Sequence, residues 1–215
     1  MTARKVGILG GTFNPVHKGH LTMARSVLDT GIVDEVWMMP SNIPPHKAHT
    51  GLASKEARKE MILRMIRNEP KIHFSDFEWK RDGFTYTAET LPLLFEAYPE
   101  LSFSFIIGGD SLCTFAHWYR PDLILDSIPI LAVGRPGSQP EQMHQIADSL
   151  MAQFGGSIRC IPMKLLDISS SDIRSAAAIG CDLTPYVGRD VADYIVSHHI
   201  YSDRGEDTNH GTKRD

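Results

Sequence analysis

The sequence lacks the marks of several specialised classes. It has 3 cysteines in 215 residues, Cys113, Cys160 and Cys181, and no CxxC pair. That odd, scattered set argues against a disulfide framework and suits a reducing, cytoplasmic compartment. No apolar run approaches the ~20 residues of a membrane helix, so no membrane association is expected. Positive charge is not in excess. Lys and Arg number 22 against 26 Asp and Glu, a formal net charge of -4, which gives no sign of a nucleic-acid partner. A small anion can still be held by a few local cations. The opening MTARKVGILGG has two basic residues and a short apolar run. A secretory signal needs a longer apolar region and a small-residue cleavage site, so VGILGG is expected to be a buried strand. Internal repeats and a clear domain boundary are also missing.

What is present is alternation. Strand-length apolar runs fall at Lys5–Leu9, Glu35–Met39, Ile72–Phe74, Ser102–Ile107, Pro129–Val133 and Ile158–Ile161. Helical spacing separates them. In Ser54–Arg67, Ser54 suits a cap, Ala57, Met61, Ile62, Met65 and Ile66 form an apolar face, and Glu60 with Arg64 forms an i,i+4 pair. Further helices are expected at Thr87–Ala97, where Pro92 threatens a kink, at Gln139–Phe154 and at Asp190–His198. Strand alternating with helix predicts a single Rossmann-like, doubly wound α/β domain over residues 1–201. Its parallel sheet carries helices on both faces and a short C-terminal helical part. The polar stretch 202–215 is expected to be disordered. Ligands of such sheets sit beyond the carboxyl ends of the strands. Loops with unusual chemistry follow strands here: GGTFNP the first, PSNIPPHK the second and GGDS the fourth.

Two stretches invite a chemical reading. In GGTFNPVHKGH, residues 10–20, Gly10 and Gly11 allow a sharp turn and close backbone approach to a ligand. His17 and His20 share one face at a helix start, where free N–H groups favour an anion. No GxxxxGK[ST] or GxGxxG can be drawn through this loop, and no third zinc ligand stands at a suggestive spacing. A tight turn with two surface histidines is the plainer alternative. In ISSSDIR, residues 168–174, Ser169 and Asp172 fit a capping box, which leaves Ser170, Ser171 and Arg174 unexplained. Hydroxyls at a helix start with an arginine one turn on suit phosphate oxygens.

With these motifs at opposite ends of an α/β chain, the sequence resembles the nucleotidyltransferase superfamily with HxGH and ISSxxxR-type signatures. More narrowly it resembles bacterial nicotinate-nucleotide adenylyltransferases, through PSNIPPHK (40–47), EAR (56–58), TYTAETL (85–91), FIIGGDS (105–111) and HWYR (117–120). The resemblance spans residues 5 to about 200. Asn14 stands where that family often has Asp, and Ser171 where it commonly has Thr.

The resemblance implies ATP and nicotinate mononucleotide as substrates, nicotinate adenine dinucleotide and pyrophosphate as products, and Mg²⁺ held mainly by ATP phosphates and water. No protein metal ligand is assigned. It implies ATP contacts from Gly10, Gly11, Thr12, Phe13, His17, His20, Gly108, Asp110, Ile168, Ser170, Ser171 and Arg174. His17, His20, Lys47 and Arg174 would carry the catalysis. Asn42, His46, Lys47, Thr85, Trp118 and Tyr119 would bind nicotinate mononucleotide. Plainer roles stay open: Lys47 as a surface lysine, Asp110 as a helix cap, Trp118 as a core residue. Adenylyl transfer to nicotinamide mononucleotide or phosphopantetheine, or a non-catalytic nucleotide sensor of the same fold, are the alternatives. Homo-oligomerisation is allowed and not specified.

Overall fold

The computed structural model describes residues 3–42, 51–81, 85–134, 140–163 and 168–202. The expected tail beyond Ser202, and His46 and Lys47, lie outside these residues. The chain runs β1 (Arg4–Gly11), α1 (Lys18–Asp29), β2 (Glu35–Pro40), α2 (Lys55–Met65), β3 (Ile72–Phe74), α3 (Thr87–Ala97), β4 (Leu101–Gly108) and α4 (Gly109–Thr114). It continues through α5 (Pro121–Ser127), β5 (Ile130–Val133), α6 (Pro140–Phe154), β6 (Ile158–Ile161), α7 (Ser170–Ala178), α8 (Thr184–Val187) and α9 (Arg189–Ser197). Short 3₁₀ turns cover Phe77–Lys80 and Phe115–His117.

The six strands form one parallel sheet in the order β3-β2-β1-β4-β5-β6. Every run expected to be a strand is one, within two residues at either end. The central strands read as continuous apolar runs because both faces are covered. In β1, Val6 and Ile8 pack under α3, α4, α5 and α6, while Leu9 packs under α1, α2, α7 and α9. Gly7 shares the Leu9 side, where a β-carbon would lie 2.8 Å from Ile106 Cδ1. A glycine there lets β1 and β4 bring their neighbours close.

Helix α2 forms as its pattern predicts. Ser54 Oγ accepts from the Ala57 N–H at 3.1 Å, and Arg64 pairs with Glu60 at 2.7 Å. Helix α3 runs through Pro92, which lies on its exposed side, because Ala88, Leu91 and Leu94 anchor the opposite side in the core. The short helices α5 and α8 have no expected counterpart. Each is too brief to show a 3.6-residue period, and each has proline at its start. The chain leaves β1 toward α1 and leaves β4 toward α4, on opposite faces of the sheet. Between these adjacent strand ends the order reverses and a crevice opens.

The turn from α6 into β6 tests the packing. Gly155 and Gly156 both have positive φ, 78° and 75°. A β-carbon on Gly155 meets nothing within 4 Å, whereas one on Gly156 would lie 2.2 Å from Leu125 O. Gly155→Ala should cost about 1 kcal/mol in urea unfolding and Gly156→Ala roughly 3 kcal/mol or more. Equal costs would refute the contact.

Candidate active site

The site starts where β1 ends. Gly10 and Gly11 were expected to make the turn, but they remain in the strand, paired with Met39 and Pro40. Their contribution is room. A β-carbon on Gly10 would come 3.0 Å from the Phe105 ring, and one on Gly11 3.2 Å from the Phe13 ring. The reversal falls instead on Phe13, at φ 48°, ahead of a cis Asn14–Pro15 peptide. A phenylalanine holds a left-handed backbone only where its surroundings fix it.

Those surroundings are side chains from distant elements. Arg58 Nη1, from α2, donates to Thr12 O at 3.0 Å and to Ser41 O at 2.9 Å. Arg174 Nη1, from α7, donates to Asn14 O at 2.8 Å, and Ser170 Oγ to Pro15 O at 2.9 Å. The Asn14 amide reaches Gly51 O at 2.9 Å with Nδ2, while its Oδ1 accepts from the Ala53 N–H at 3.0 Å. The two motifs that stand apart in sequence are therefore bonded to each other.

The loop delivers the histidines to the start of α1, with His17 at the cap position. The His17 backbone N–H donates to His20 Nδ1 at 3.3 Å. A ring that accepts at Nδ1 carries its proton, when neutral, at Nε2. The two imidazoles lie 3.8 Å apart between centroids, and the Phe13 ring meets His20 edge-on at 4.9 Å. His20 is thus held as an oriented donor.

A cleft of about 730 Å³ opens over this loop. Gly10, Gly11, Thr12, Phe13, His17, His20, Thr85, Gly108, Asp110, Trp118, Ser170, Ser171 and Arg174 all line it, so most of the expected site comes together. The amino ends of α1 and α7 both border the cleft, which places two helix dipoles on one anion-sized space. Apolar walls come from Met23, Met39, Leu52, Phe105 and Ile107. The Trp118 ring packs on Phe115 at 5.1 Å and also lines the cleft. Asp110 is not a cap, since α4 begins at Gly109 with Gly108 in the cap position. The cap on α7 forms: Ser169 Oγ accepts from the Asp172 N–H at 3.1 Å and donates to Asp172 Oδ2 at 2.6 Å.

Three expected residues do not line the cleft. Ile168 is buried in the core beneath it. Asn42 is buried too, and its Nδ2 donates to Arg81 O at 2.7 Å. Tyr119 is exposed, and its ring lies tilted against Tyr86 at 4.6 Å between centroids. Sequence reasoning in turn missed three residues. Arg58 is 1% exposed, lies 5.0 Å from the Trp79 ring centre and braces the loops after β1 and β2; its one signal was the EAR match. Burial holds its guanidinium below its usual range, while Tyr201 and Glu56 raise it. Tyr201, considered below, had no signal. Glu78, which lines the cleft, accepts from Thr85 Oγ1 at 2.9 Å and Thr90 Oγ1 at 3.1 Å. A lone glutamate in a four-residue 3₁₀ turn announces nothing, and its burial is a tertiary fact.

Comparison with known proteins agrees with this geometry. Residues 8–176 match the cytidylyltransferase-like family. The probable nicotinate-nucleotide adenylyltransferase of Lachnoclostridium phytofermentans is 35% identical over 198 residues, covering 92% of this chain and 99% of that protein. The corresponding protein of Salinibacter ruber is 36% identical, covering 91% and 97%. Among solved structures, the Plasmodium falciparum nicotinic acid mononucleotide adenylyltransferase complexed with NaAD superposes with a TM-score of 0.77 at 22% identity, covering 92% and 97%. At that identity the likeness is one of fold.

Glu78 makes a pH prediction. Burial raises its carboxyl above the ordinary 4.5, against the opposing pull of Thr85, Thr90, Arg81 and the Asn42 N–H. The native state then holds this proton more tightly than the unfolded chain does. The associated stability is present below the unfolded carboxylate range and is lost as pH rises through the raised native value. As pH rises from 4.5 through the raised native value, the wild type should lose stability relative to Glu78→Gln, measured by urea midpoints. Parallel pH curves for the two proteins would contradict it.

Proposed function

We propose a mechanism from one premise: the chain belongs to the cytidylyltransferase-like family and, within it, to the nicotinate-nucleotide adenylyltransferases. It is a nucleotidyltransferase that moves the adenylyl group of ATP to nicotinate mononucleotide, giving nicotinate adenine dinucleotide and pyrophosphate on the way to NAD. The observation that carries this reading is the joining of the two end motifs over one cleft, with Trp118 on its apolar wall.

A phosphate oxygen of nicotinate mononucleotide attacks the α-phosphorus of ATP. A bond forms there as the bond to the bridging α–β oxygen breaks, and pyrophosphate leaves. The attacker is already an anion, so no strong base is needed. The protein's task is to hold two anions together and meet the charge that develops. His20 donates through Nε2–H to the reacting phosphate, and His17 supports it with a ring tilted against it at 3.8 Å. Ser171 and the remaining N–H groups of Arg174 hold the leaving phosphates, together with the amino ends of α1 and α7. Ser170 has a narrower part, because its proton is committed to Pro15 O. Thr12 adds a hydroxyl, and Asp110 accepts from ribose. Lys47, on a segment outside the described residues, supplies a further cation.

Trp118 stacks on the pyridine ring. The Thr85 hydroxyl donates to Glu78, so Thr85 meets the nicotinate carboxylate through its backbone N–H. Tyr119 contributes by backbone alone, since its ring is engaged with Tyr86. The cleft's donors are imidazoles, hydroxyls and a guanidinium, which match phosphate oxygens, and its carboxylates are Asp110 and Glu78, the latter accepting from Thr85 and Thr90. This suits Mg²⁺ that arrives on ATP with its own water. When bound, the ion lowers the negative charge that the attacking phosphate must approach.

The test is pyrophosphate release from Mg-ATP with nicotinate mononucleotide, nicotinamide mononucleotide or phosphopantetheine as acceptor. The first should be strongly preferred. Preference for another acceptor would discard the acid pocket and keep the phosphate-handling roles, and ATP binding without release would favour a sensor. His20→Ala should lower kcat about 100-fold or more with the fold intact by circular dichroism. Trp118→Ala should act mainly on the KM for nicotinate mononucleotide. A normal kcat in the histidine variant would remove its assignment.

A further inference from the structure

Tyr201 lies just beyond α9, close to the end of the described chain. Two left-handed backbones bring it inward, at His199 (φ 52°) and at Tyr201 itself (φ 67°). Ordinary side chains avoid such values unless packing holds them. Here Ile200 and Tyr201 pack on the core beneath α1 and α9. The phenol thereby reaches back across 187 residues of sequence, and its hydroxyl donates to Asn14 Oδ1 at 2.7 Å. Burial raises the phenol far above its usual range, against the pull of Arg174 and Arg58, so it remains a protonated donor.

Asn14 is buried and engaged on every side. Its Oδ1 accepts from Tyr201 and from the Ala53 N–H, its Nδ2 donates to Gly51 O, and its carbonyl accepts from Arg174. The partners fix the orientation of the amide, because only Nδ2 can face the Gly51 carbonyl. A carboxylate at this position would accept from Tyr201 and Ala53 but set lone pairs against Gly51 O. The same residue thus links the chain end, the 51–53 segment and the cleft arginine.

We propose that Tyr201 and Asn14 are positioning residues for adenylyl transfer, acting as one joint that fixes the backbone of Thr12–Pro15 and with it the start of α1. The inference rests on the adenylyl-transfer reading above. The joint works at a distance from the reacting atoms. A shift of Asn14 moves the carbonyl that holds Arg174 and releases Phe13, whose ring braces His20. Small displacements of groups aligned on a transition state cost rate more than binding. Trp118, the proposed partner of the pyridine ring, stands on another loop, after the Phe115–His117 turn, and makes none of the joint's hydrogen bonds.

The experiment compares wild type, Tyr201→Phe, Asn14→Ala and the double variant. It reads kcat, the KM of each substrate, thermal midpoint and hydrogen exchange of the backbone amides in residues 12–17. Tyr201→Phe keeps the ring and loses only the hydroxyl. It should lower kcat about fivefold to tenfold, leave the KM for nicotinate mononucleotide unchanged and speed exchange in the loop. In the Asn14→Ala background it should add nothing, because the phenol acts only through the amide. A Tyr201→Phe enzyme with a lowered thermal midpoint but wild-type kcat and exchange would overturn the proposal. Should Asn14→Ala fail to fold, the Tyr201→Phe rate and exchange decide alone. Absence of pyrophosphate release in the wild type would instead remove the reading on which the proposal stands.

Discussion

Three backbone carbonyls in a row of four residues hold this site together. Thr12, Asn14 and Pro15 each present an oxygen, and each oxygen is met by a side chain from elsewhere: Arg58, Arg174 and Ser170. A loop of this kind has no ladder of its own to satisfy its polar groups, and buried carbonyls left unpaired are costly. The donors therefore do two things at once. They satisfy the loop, and they pin it in a conformation that Phe13 would otherwise leave.

The sheet order makes this possible. With β1 and β4 adjacent and their connections leaving on opposite faces, the loops after both strands open at one edge. Helix α7 begins there too, although it follows the last strand of the sheet. Two amino-terminal helix ends and a cleft arginine then face one space, a field suited to a polyphosphate. The chain as a whole is acidic, at a formal charge of -4, so the attraction is local. It is built from a few groups whose positions are set by hydrogen bonds rather than by an excess of cations.

Some of the site was legible because its chemistry is local. GGTFNPVHKGH puts two imidazoles one helical turn apart, and ISSSDIR puts hydroxyls and an arginine at a helix start. Such spacings survive folding unchanged. The residues missed share the opposite property. Arg58 stands one turn before Met61 and Ile62 on the buried side of α2, and no spacing within the helix names the Thr12 and Ser41 carbonyls it meets. Glu78 sits in a short 3₁₀ turn and Tyr201 just beyond the last helix, and nothing nearby in sequence reveals what covers them. Misplacement has the same origin. Gly10 and Gly11 looked like a turn because glycine permits one, but here their missing β-carbons admit the Phe105 and Phe13 rings.

The sequence by itself determined the class of fold, the strands within two residues, and the identity of the two motifs that border the cleft. Those follow from periodicity and from chemistry within one turn of backbone. Only the tertiary structure decided that the motifs are bonded to each other, and that a tyrosine from the chain end closes on Asn14. It also decided which of the assigned side chains line the cleft and which, like Asn42, Ile168 and Tyr119, do not. Contacts between residues more than a hundred positions apart depend on how helices settle on the two faces of the sheet, and no local pattern carries that information.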